Sequence, residues 1–368
     1  MRLSREVLIV GGGVIGLTAA YYLRSRYQRQ VTVLDRGEFG REASWAGAGM
    51  VPPARRATAT TPWTQLLGLS YELLVSLSHE LYERTGIDNE FRRCGGIEFV
   101  SGIDKTTVEL WKAEGIPFQR LSGWELQRLE PELAAGLEDG YWLPNMGQVR
   151  NPRHLRALIA ACQQMGVEFV DHAAVRQWRT QGDQIVAAET ETATWQAERF
   201  LITAGAWTDE VARPLGYSFS IKPIRGQIVL LNPGRPLLHH IISSGLDYLV
   251  PRLDGRILVG STEEDVGFAK GNTVEAVQRL TELACRIAPA LANVPVESTW
   301  SGLRPFASRN RPILGPLPKH TNLYIAAGHF RSGLMLSAGT GWVIAQSLAD
   351  QPTDISLDWF RAREIDLT

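Results

Sequence analysis

Three glycines and one aspartate near the start of the chain have the types and spacing of a dinucleotide-binding turn. Gly11, Gly13 and Gly16 fit the pattern G-x-G-x-x-G, and Asp35 follows at the expected distance of about twenty residues. The first glycine permits a tight turn, the second lets the backbone approach a pyrophosphate, and the third lets helix and strand pack closely. The carboxylate can accept hydrogen bonds from a ribose diol, which favours FAD or NAD over NADP.

The residues around this turn have the patterns of the elements that must hold it. Val7–Val10 is a short apolar run typical of a buried strand, and the run from Val14 to Leu23 is apolar on nearly every face. Val31–Leu34 predicts the next buried strand. The sequence therefore predicts strand, turn, helix and strand, with the pyrophosphate at the helix N-terminus.

Two further segments are rich in small residues. Arg36–Val51 contains too much glycine and alanine for a packed helix, which indicates a backbone close to a large flat group, with a flexible loop as the alternative. Phe200–Ala204 predicts a buried strand that runs into Gly205 and Trp207, a second place where the backbone can meet a cofactor.

The composition is that of an ordinary globular enzyme long enough for two domains: 368 residues, 44% apolar and 21% charged. A net charge of −1 gives no broad positive field, so nucleic acid is not an expected partner. Cys94, Cys162 and Cys285 form no metal motif and fit a reducing compartment. Because no apolar run fits a membrane span, we expect a cytoplasmic protein without a membrane or metal site.

Two kinds of pattern alternate along the chain. From Ile221 onward the segments alternate as in an antiparallel sheet, whereas Leu323–Ala327 and Leu334–Leu348 predict a further strand and helix of the nucleotide-binding part. We predict an α/β (α+β) fold with a discontinuous Rossmann-like cofactor domain (residues 1–85, 150–220 and 300–368). A mixed, largely antiparallel β-sheet substrate domain (86–149 and 221–299) is inserted into it.

Several longer segments carry a resemblance to a known family. In chain order they are GGGVIG with Asp35, ASWAGAGM, TAGAW, PIRGQ, YLVPR, GRILVGST, WSGLRP and AAGHFRSGLMLSAGTG. With them the chain resembles the FAD-dependent amine oxidases of the D-amino-acid oxidase superfamily, in particular the glycine oxidase branch associated with thiamine biosynthesis. The resemblance implies a discontinuous FAD domain, a small amino acid and O₂ as reactants, and a homodimer or homotetramer. No cysteine lies near residues 304–317, where sarcosine-oxidase relatives attach flavin, so we expect non-covalent FAD.

The resemblance also implies roles for single residues. Tyr248, Arg304 and Arg331 match substrate-site positions. The positions implied to contact the cofactor are Gly11, Gly13, Val14, Ile15, Gly16, Asp35, Arg36, Ser44, Gly47, Ala48, Gly49, Met50, Val175, Gly205, Trp207, His329, Phe330, Arg331, Ser332, Gly333 and Leu334. For His329 and Arg331, which precede a predicted helix, capping of that helix is the alternative interpretation.

The implied reaction is oxidative deamination of glycine, other small primary or secondary amines, or D-amino acids. Hydride leaves the α-carbon for the flavin, and O₂ then reoxidises the flavin to give H₂O₂. Arg304 can bind the carboxylate with a two-pronged charged pair, and Tyr248 can add a hydroxyl donor. The alternative functions are a D-amino-acid or sarcosine dehydrogenase or oxidase with another acceptor, and a non-catalytic flavin-binding module. For single residues, Arg304 as a surface arginine or in an interdomain ion pair, and Tyr248 as a core residue, are the alternative interpretations.

Two departures from the family leave the size and preference of the pocket open. Glu263 and Glu264 stand where some relatives present an apolar pocket residue. Leu246 and Asp247 precede Tyr248, where a histidine occurs in some glycine oxidases.

Overall fold

The computed structural model describes residues 5–363, so the two outer ends of the predicted cofactor domain, 1–4 and 364–368, lie outside the described residues. The helices are α1 (Val14–Tyr27), α2 (Ala43–Ala46), α3 (Pro62–Thr85), α4 (Lys105–Ala113), α5 (Gly123–Leu129), α6 (Asn151–Gln164), α7 (Thr208–Ala212), α8 (Val274–Ile287) and α9 (Gly333–Leu348). The strands are β1 (Val7–Val10), β2 (Val31–Leu34), β3 (Met50–Val51), β4 (Arg92–Arg93), β5 (Gly96–Phe99), β6 (Gln119–Leu121), β7 (Gly140–Leu143), β8 (Gly147–Gln148), β9 (Glu168–Val170), β10 (Gln177–Gln181), β11 (Gln184–Glu189), β12 (Thr194–Trp195), β13 (Arg199–Ile202), β14 (Ile221–Leu231), β15 (Ile241–Ser244), β16 (Asp247–Pro251), β17 (Ile257–Gly260), β18 (Val296–Ala307), β19 (Ile313–Pro316) and β20 (Leu323–Ala327).

The first large sheet has the strand order β19-β20-β13-β1-β2-β9 and is parallel except for β19. Alternate residues of β1 pack in different layers. Val7 and Ile9 join the core formed with α1, α3, α6 and α9, whereas Leu8 joins the core that includes Ile185 of the small sheet β10-β11-β12. Burial on both faces explains why β1 is a continuous apolar run. The predicted strand, turn, helix and strand unit is confirmed.

Helix α9 packs closely on α1 and α3 because it contains glycines. A Cβ atom added at Gly341 would lie 2.7 Å from Thr18 Cγ2 of α1, and one added at Gly339 would overlap Ser70 Oγ of α3. A larger residue at either position would push the helices apart. This packing fixes the N-terminus of α9, the residue Gly333, relative to the glycine turn.

The second large sheet has the strand order β18-β14-β17-β16-β15-β5-β7-β6. Only β15 and β5 are parallel, and all other neighbours are antiparallel. Leu249 packs in the core that includes α8, whereas Tyr248 packs with Ile228 on the opposite face. The mixed, largely antiparallel sheet predicted from the alternation is therefore confirmed.

Two details differ from the expectations or extend them. Arg36–Val51 contains the one-turn helix α2 and the strand β3, so the prediction that small residues exclude a helix was wrong over four residues. Asn151 Nδ2 donates to Ser44 O at 2.8 Å and thereby holds this turn from outside. Strand β18 pairs with β14 from residue 296 to 307, on both sides of the predicted boundary at 299/300, and the division into domains stays a prediction.

None of the helices within residues 5–363 combines the length and the apolar character that a bilayer crossing requires.

Candidate active site

A cavity of about 800 Å³ is lined by residues of both large sheets. Its volume lies in the range of small-molecule and cofactor sites. Every residue of the predicted cofactor and substrate sets lines it except Gly16. We call Gly11, Gly13, Asp35 and Arg36 the glycine-turn end, and Tyr248, Ser261, Arg304 and Arg331 the arginine end.

The glycines of the turn have separate steric reasons. Gly11 has φ +117°, and a Cβ atom there would overlap Thr203 O of the neighbouring strand connection. A Cβ atom at Gly16 would overlap Gly11 O, so this glycine holds α1 against the turn. Because its contact is with the backbone and not with the cavity, Gly16 acts on the site through packing alone.

The N-terminus of α1 lies in the wall at this end of the cavity. Gly13 is the N-cap and has no side-chain cap, and Val14 N donates to Ser44 Oγ at 2.9 Å. Helix N-termini of this kind carry a partial positive charge and bind phosphate groups through backbone N–H groups. The arrangement therefore suits a pyrophosphate.

Asp35 is fixed at the end of β2 by two backbone donors. Its Oδ2 accepts from Gly12 N at 2.7 Å, and its Oδ1 accepts from Gly37 N at 2.9 Å. Burial raises the pKa of the Asp35 carboxyl, and the hydrogen bonds from Gly37 and Gly12 oppose that rise. Each carboxylate oxygen keeps a further lone pair, with which it can accept a ribose hydroxyl.

The small-residue loop between the two ends is held by a buried cation. Arg252 donates from Nη2 to Ala48 O at 2.8 Å and from Nη1 to Val149 O at 3.2 Å. Burial lowers the pKa of the Arg252 guanidinium to about 10, so it remains charged at neutral pH. This role of Arg252 was not predicted from the sequence, although the residue ends the segment YLVPR.

Asn151 is a second residue of the site that was not predicted from the sequence. It lines the cavity beneath the same loop, and only 1% of its surface is exposed. Its Oδ1 atom is buried and has no hydrogen-bond partner among residues 5–363. An unsatisfied buried acceptor in a cavity wall is typical of a site that a ligand donor completes.

Two glycines make room for the key side chains of the arginine end. A Cβ atom at Gly226 of β14 would overlap the Arg304 guanidinium, and one at Gly260 of β17 would overlap the Tyr248 ring. Arg304 Nη2 donates to Ser261 Oγ at 2.8 Å, and its Nη1 donates to Thr262 O at 2.9 Å. Both of these partners are neutral, so the positive charge of Arg304 is available to an anion in the cavity.

The protonation states of this end follow from burial. Burial lowers the pKa of Arg304, which Tyr248 and Glu263 partly oppose, and burial raises the pKa of the Tyr248 phenol. Arginine remains a cation in proteins despite such a shift. At neutral pH the arginine end therefore presents a guanidinium and a neutral phenol, which are both hydrogen-bond donors.

His329 lines the cavity but its ring points into α9. Its Nε2 atom lies 3.1 Å from Thr340 Oγ1, and burial lowers the pKa of the imidazole to about 3. The side chain is therefore neutral and occupied by a structural contact. Arg331, by contrast, is exposed and lines both this cavity and a neighbouring one of about 830 Å³, which Glu263 also lines.

The residues of the cavity fit FAD. The glycine turn and helix N-terminus suit the pyrophosphate, Asp35 suits the ribose, and the backbone of Gly47–Met50 and Gly205–Trp207 offers small-residue walls to a flat ring. Asn151 supplies an unsatisfied acceptor on the wall beneath the loop. The arginine end then lies beside the cofactor region and suits a small carboxylate.

Comparison with known proteins agrees with this geometry. Residues 6–347 match the family model DAO, FAD dependent oxidoreductase. The chain is 34% identical to a glycine oxidase of Pseudomonas aeruginosa, over 94% of this chain and 95% of the relative. It is 33% identical to the bifunctional protein ThiO/ThiG of Trichormus variabilis, over 97% of this chain and 55% of that longer protein. The crystal structure of glycine oxidase from Geobacillus kaustophilus superposes with a TM-score of 0.90 at 30% identity, over 98% of each chain.

Proposed function

The chain belongs to the DAO family of FAD-dependent oxidoreductases, and on that basis we propose that it oxidises glycine and other small amines. For glycine the balanced reaction is glycine, O₂ and water to glyoxylate, ammonia and H₂O₂. Before hydrolysis the product is an imine. We propose that this imine is used to build the thiazole of thiamine. When bound, FAD supplies the redox chemistry by accepting hydride from the substrate α-carbon.

The observation that carries this proposal is the arginine end of the cavity. Arg304 is held by two neutral acceptors, Ser261 Oγ and Thr262 O, and faces the cavity beside the Tyr248 hydroxyl. A guanidinium binds a carboxylate through two parallel charge-assisted hydrogen bonds. We assign Arg304 to the substrate carboxylate, Tyr248 to a further hydrogen bond and Arg331 to the rim.

Neither His329 nor Tyr248 supplies a titrating base at the arginine end. The imidazole of His329 is neutral and bonded to Thr340, and the raised pKa of Tyr248 keeps its phenol protonated. Hydride transfer from the α-carbon needs the amine in its neutral form, so the substrate itself supplies the titration. We expect kcat/KM to rise with pH from 6 towards the amine pKa; a flat profile from pH 6 to 10 would contradict this.

We propose O₂ as the electron acceptor, a cytoplasmic location and a homodimer or homotetramer. The bifunctional relative shows that a chain like this one occurs fused to a second protein, over about half of the fusion's length.

The first experiment is anaerobic mixing of the purified holoprotein with glycine, sarcosine or D-alanine, followed by admission of air. Loss of flavin absorbance with glycine, then rapid recovery and peroxide, supports the proposal. Loss without recovery in air would replace O₂ with another acceptor. A yellow protein that none of the amines bleaches would overturn the catalytic function.

A further inference from the structure

A segment between β17 and α8, which we call the strap (residues 264–272), leaves the second large sheet and returns to it. Its first stem is tied to β14, where Glu264 and Arg225 exchange two backbone hydrogen bonds of 2.9 and 3.0 Å. Arg225 Nε also donates to Glu264 Oε2 at 2.8 Å, and Gln227 Nε2 donates to Glu264 Oε1 at 2.8 Å. Glu264 therefore anchors the strap and does not line the main cavity.

The second stem is tied to β18 in the same way. Gly271 N donates to Ser301 Oγ at 3.0 Å, and Asn272 Nδ2 donates to Trp300 O at 3.1 Å. With both stems fixed on neighbouring strands, the tip between them has a defined reach across the protein surface.

The tip lies on residues of the glycine-turn side of the cavity. The Phe268 ring stacks on Trp207, with centroids 5.4 Å apart and planes 29° apart, and Phe268 remains 44% exposed. Lys270 Nζ pairs with Glu42 Oε2 at 2.5 Å and lies 5.7 Å from the Trp207 ring centroid. The Arg36 guanidinium lies 4.2 Å from that ring.

The residues that Phe268 and Lys270 contact line the cavity, whereas the residues that anchor the two stems of the strap do not. Trp207, Glu42 and Arg36 lie in its wall, whereas Phe268 and Lys270 lie outside it. Stacked aromatic rings attract each other beyond the area that they bury, so this one ring contact stabilises the position of Phe268 against the wall residue Trp207. The strap thus braces from outside the part of the wall that lies near the nucleotide-binding turn.

We propose that the strap is a clasp that retains FAD, with Phe268 and Lys270 as positioning residues that hold Trp207 and Glu42 in the cavity wall. The inference rests on the proposed function only in that FAD is the occupant of the cavity. Both residues belong to a segment anchored on the second sheet and contact residues beside the cofactor, so they link that sheet to the retention of FAD. Release of FAD then requires the ring stack and the ion pair to separate.

The test measures the rate of FAD release from the holoprotein, without any amine, by the rise of FAD fluorescence after dilution. We expect Phe268→Ala to release FAD about three- to tenfold faster, the range expected for one aromatic pair. Val274→Ala is the matched control, since Val274 follows the strap, is 79% exposed and begins α8. An unchanged release rate in Phe268→Ala would overturn the clasp.

A charge exchange separates the clasp from a general loss of stability. Lys270→Glu should speed FAD release by about two- to fivefold, as expected for the loss of a partly exposed ion pair. The double variant Glu42→Lys with Lys270→Glu restores opposite charges and should return the release rate to that of the parent protein. A merely structural role predicts lower thermal stability of the apoprotein with no reversal of the release rate, which would overturn the proposal. Failure of the parent protein to bind FAD would instead refute the proposed function.

Discussion

The two ends of the cavity are built in different ways. The glycine-turn end comes from one stretch, Gly11 to Arg36, in which a strand, a turn, a helix and a second strand follow one another. The arginine end comes from β16, the segment after β17, β18 and the turn before α9, which span residues 248 to 331. The first is determined by local geometry, and the second depends on which strands become neighbours.

Because the two ends are built from different parts of the chain, substitutions at the two ends should have separate effects on the binding of cofactor and of amino acid. Changes in the glycine turn should act on cofactor binding and leave the amino-acid contacts intact. Changes at the arginine end should act on the amino acid while FAD stays bound. Gly11→Ala, Arg304→Lys and Ser261→Ala each test one side of this separation.

The largest effect is expected for Gly11→Ala. The new methyl group would overlap Thr203 O, and φ +117° is strained for alanine. We expect a protein that purifies without yellow colour, measured as the ratio of absorbance at the flavin and protein maxima. Gly37→Ala is the control, because no atom lies within 4 Å of its added Cβ atom. Full flavin content in Gly11→Ala would show that the turn is not the cofactor site.

The next effect is expected for Arg304→Lys. A point charge replaces the two-pronged fork, so we expect kcat/KM for glycine to fall about 100-fold while the affinity for FAD is unchanged. Steady-state kinetics and FAD titration measure the two quantities. Arg256→Lys is the control, since Arg256 directly precedes β17 and pairs with Glu297 and Asp254 at the surface. Unchanged KM and kcat would refute the carboxylate-binding role.

A smaller effect at the same end is expected for Ser261→Ala. The substitution removes the acceptor that holds Arg304 Nη2 at 2.8 Å, and loss of one hydrogen bond of this kind corresponds to about a three- to tenfold change. We expect KM for glycine to rise by this factor and the affinity for FAD to stay unchanged. The exposed Ser298→Ala on β18 serves as the control. A change in FAD affinity instead would mean that the two ends are not separable.

The smallest effect concerns stability and tests the neutral state of His329. Its pKa is about 3 when folded, against an ordinary value of about 6.5, so the unfolded chain binds the extra proton between these values. The free energy of unfolding should therefore fall as the pH falls below 6.5, and this histidine should contribute about 1 kcal/mol of that loss between pH 7 and 5.5.

Urea unfolding at pH 7 and pH 5.5 measures this contribution. His329→Gln should lose less stability on acidification than the parent protein, whereas the exposed His79→Gln should behave like the parent. Equal losses in the parent and in His329→Gln would mean that His329 is accessible to protons, contrary to its burial. The measurements use apoprotein, so that differences in FAD content between the variants do not affect the comparison.

Much of the fold could be predicted from sequence because its patterns are local. The apolar runs of β1 and β2, the glycine spacing and the alternation from Ile221 onward each follow from the period of a helix or a strand. The one-turn helix Ala43–Ala46 was not predicted, and the side chain that bonds to it, Asn151, lies more than 100 residues away. Short helices held by distant side chains leave no periodic pattern in the sequence.

The candidate site divides along the same line. The sequence by itself determined the glycine turn and Asp35. Each of them follows from steric constraints within one unit of strand, turn, helix and strand. Only the tertiary structure decided that Gly226 and Gly260 make room for Arg304 and Tyr248, that Arg252 holds Ala48 O, and that Glu264 anchors the strap instead of lining the cavity. These contacts depend on strand order and register, which bring together residues far apart in the chain and are fixed only when both sheets pack.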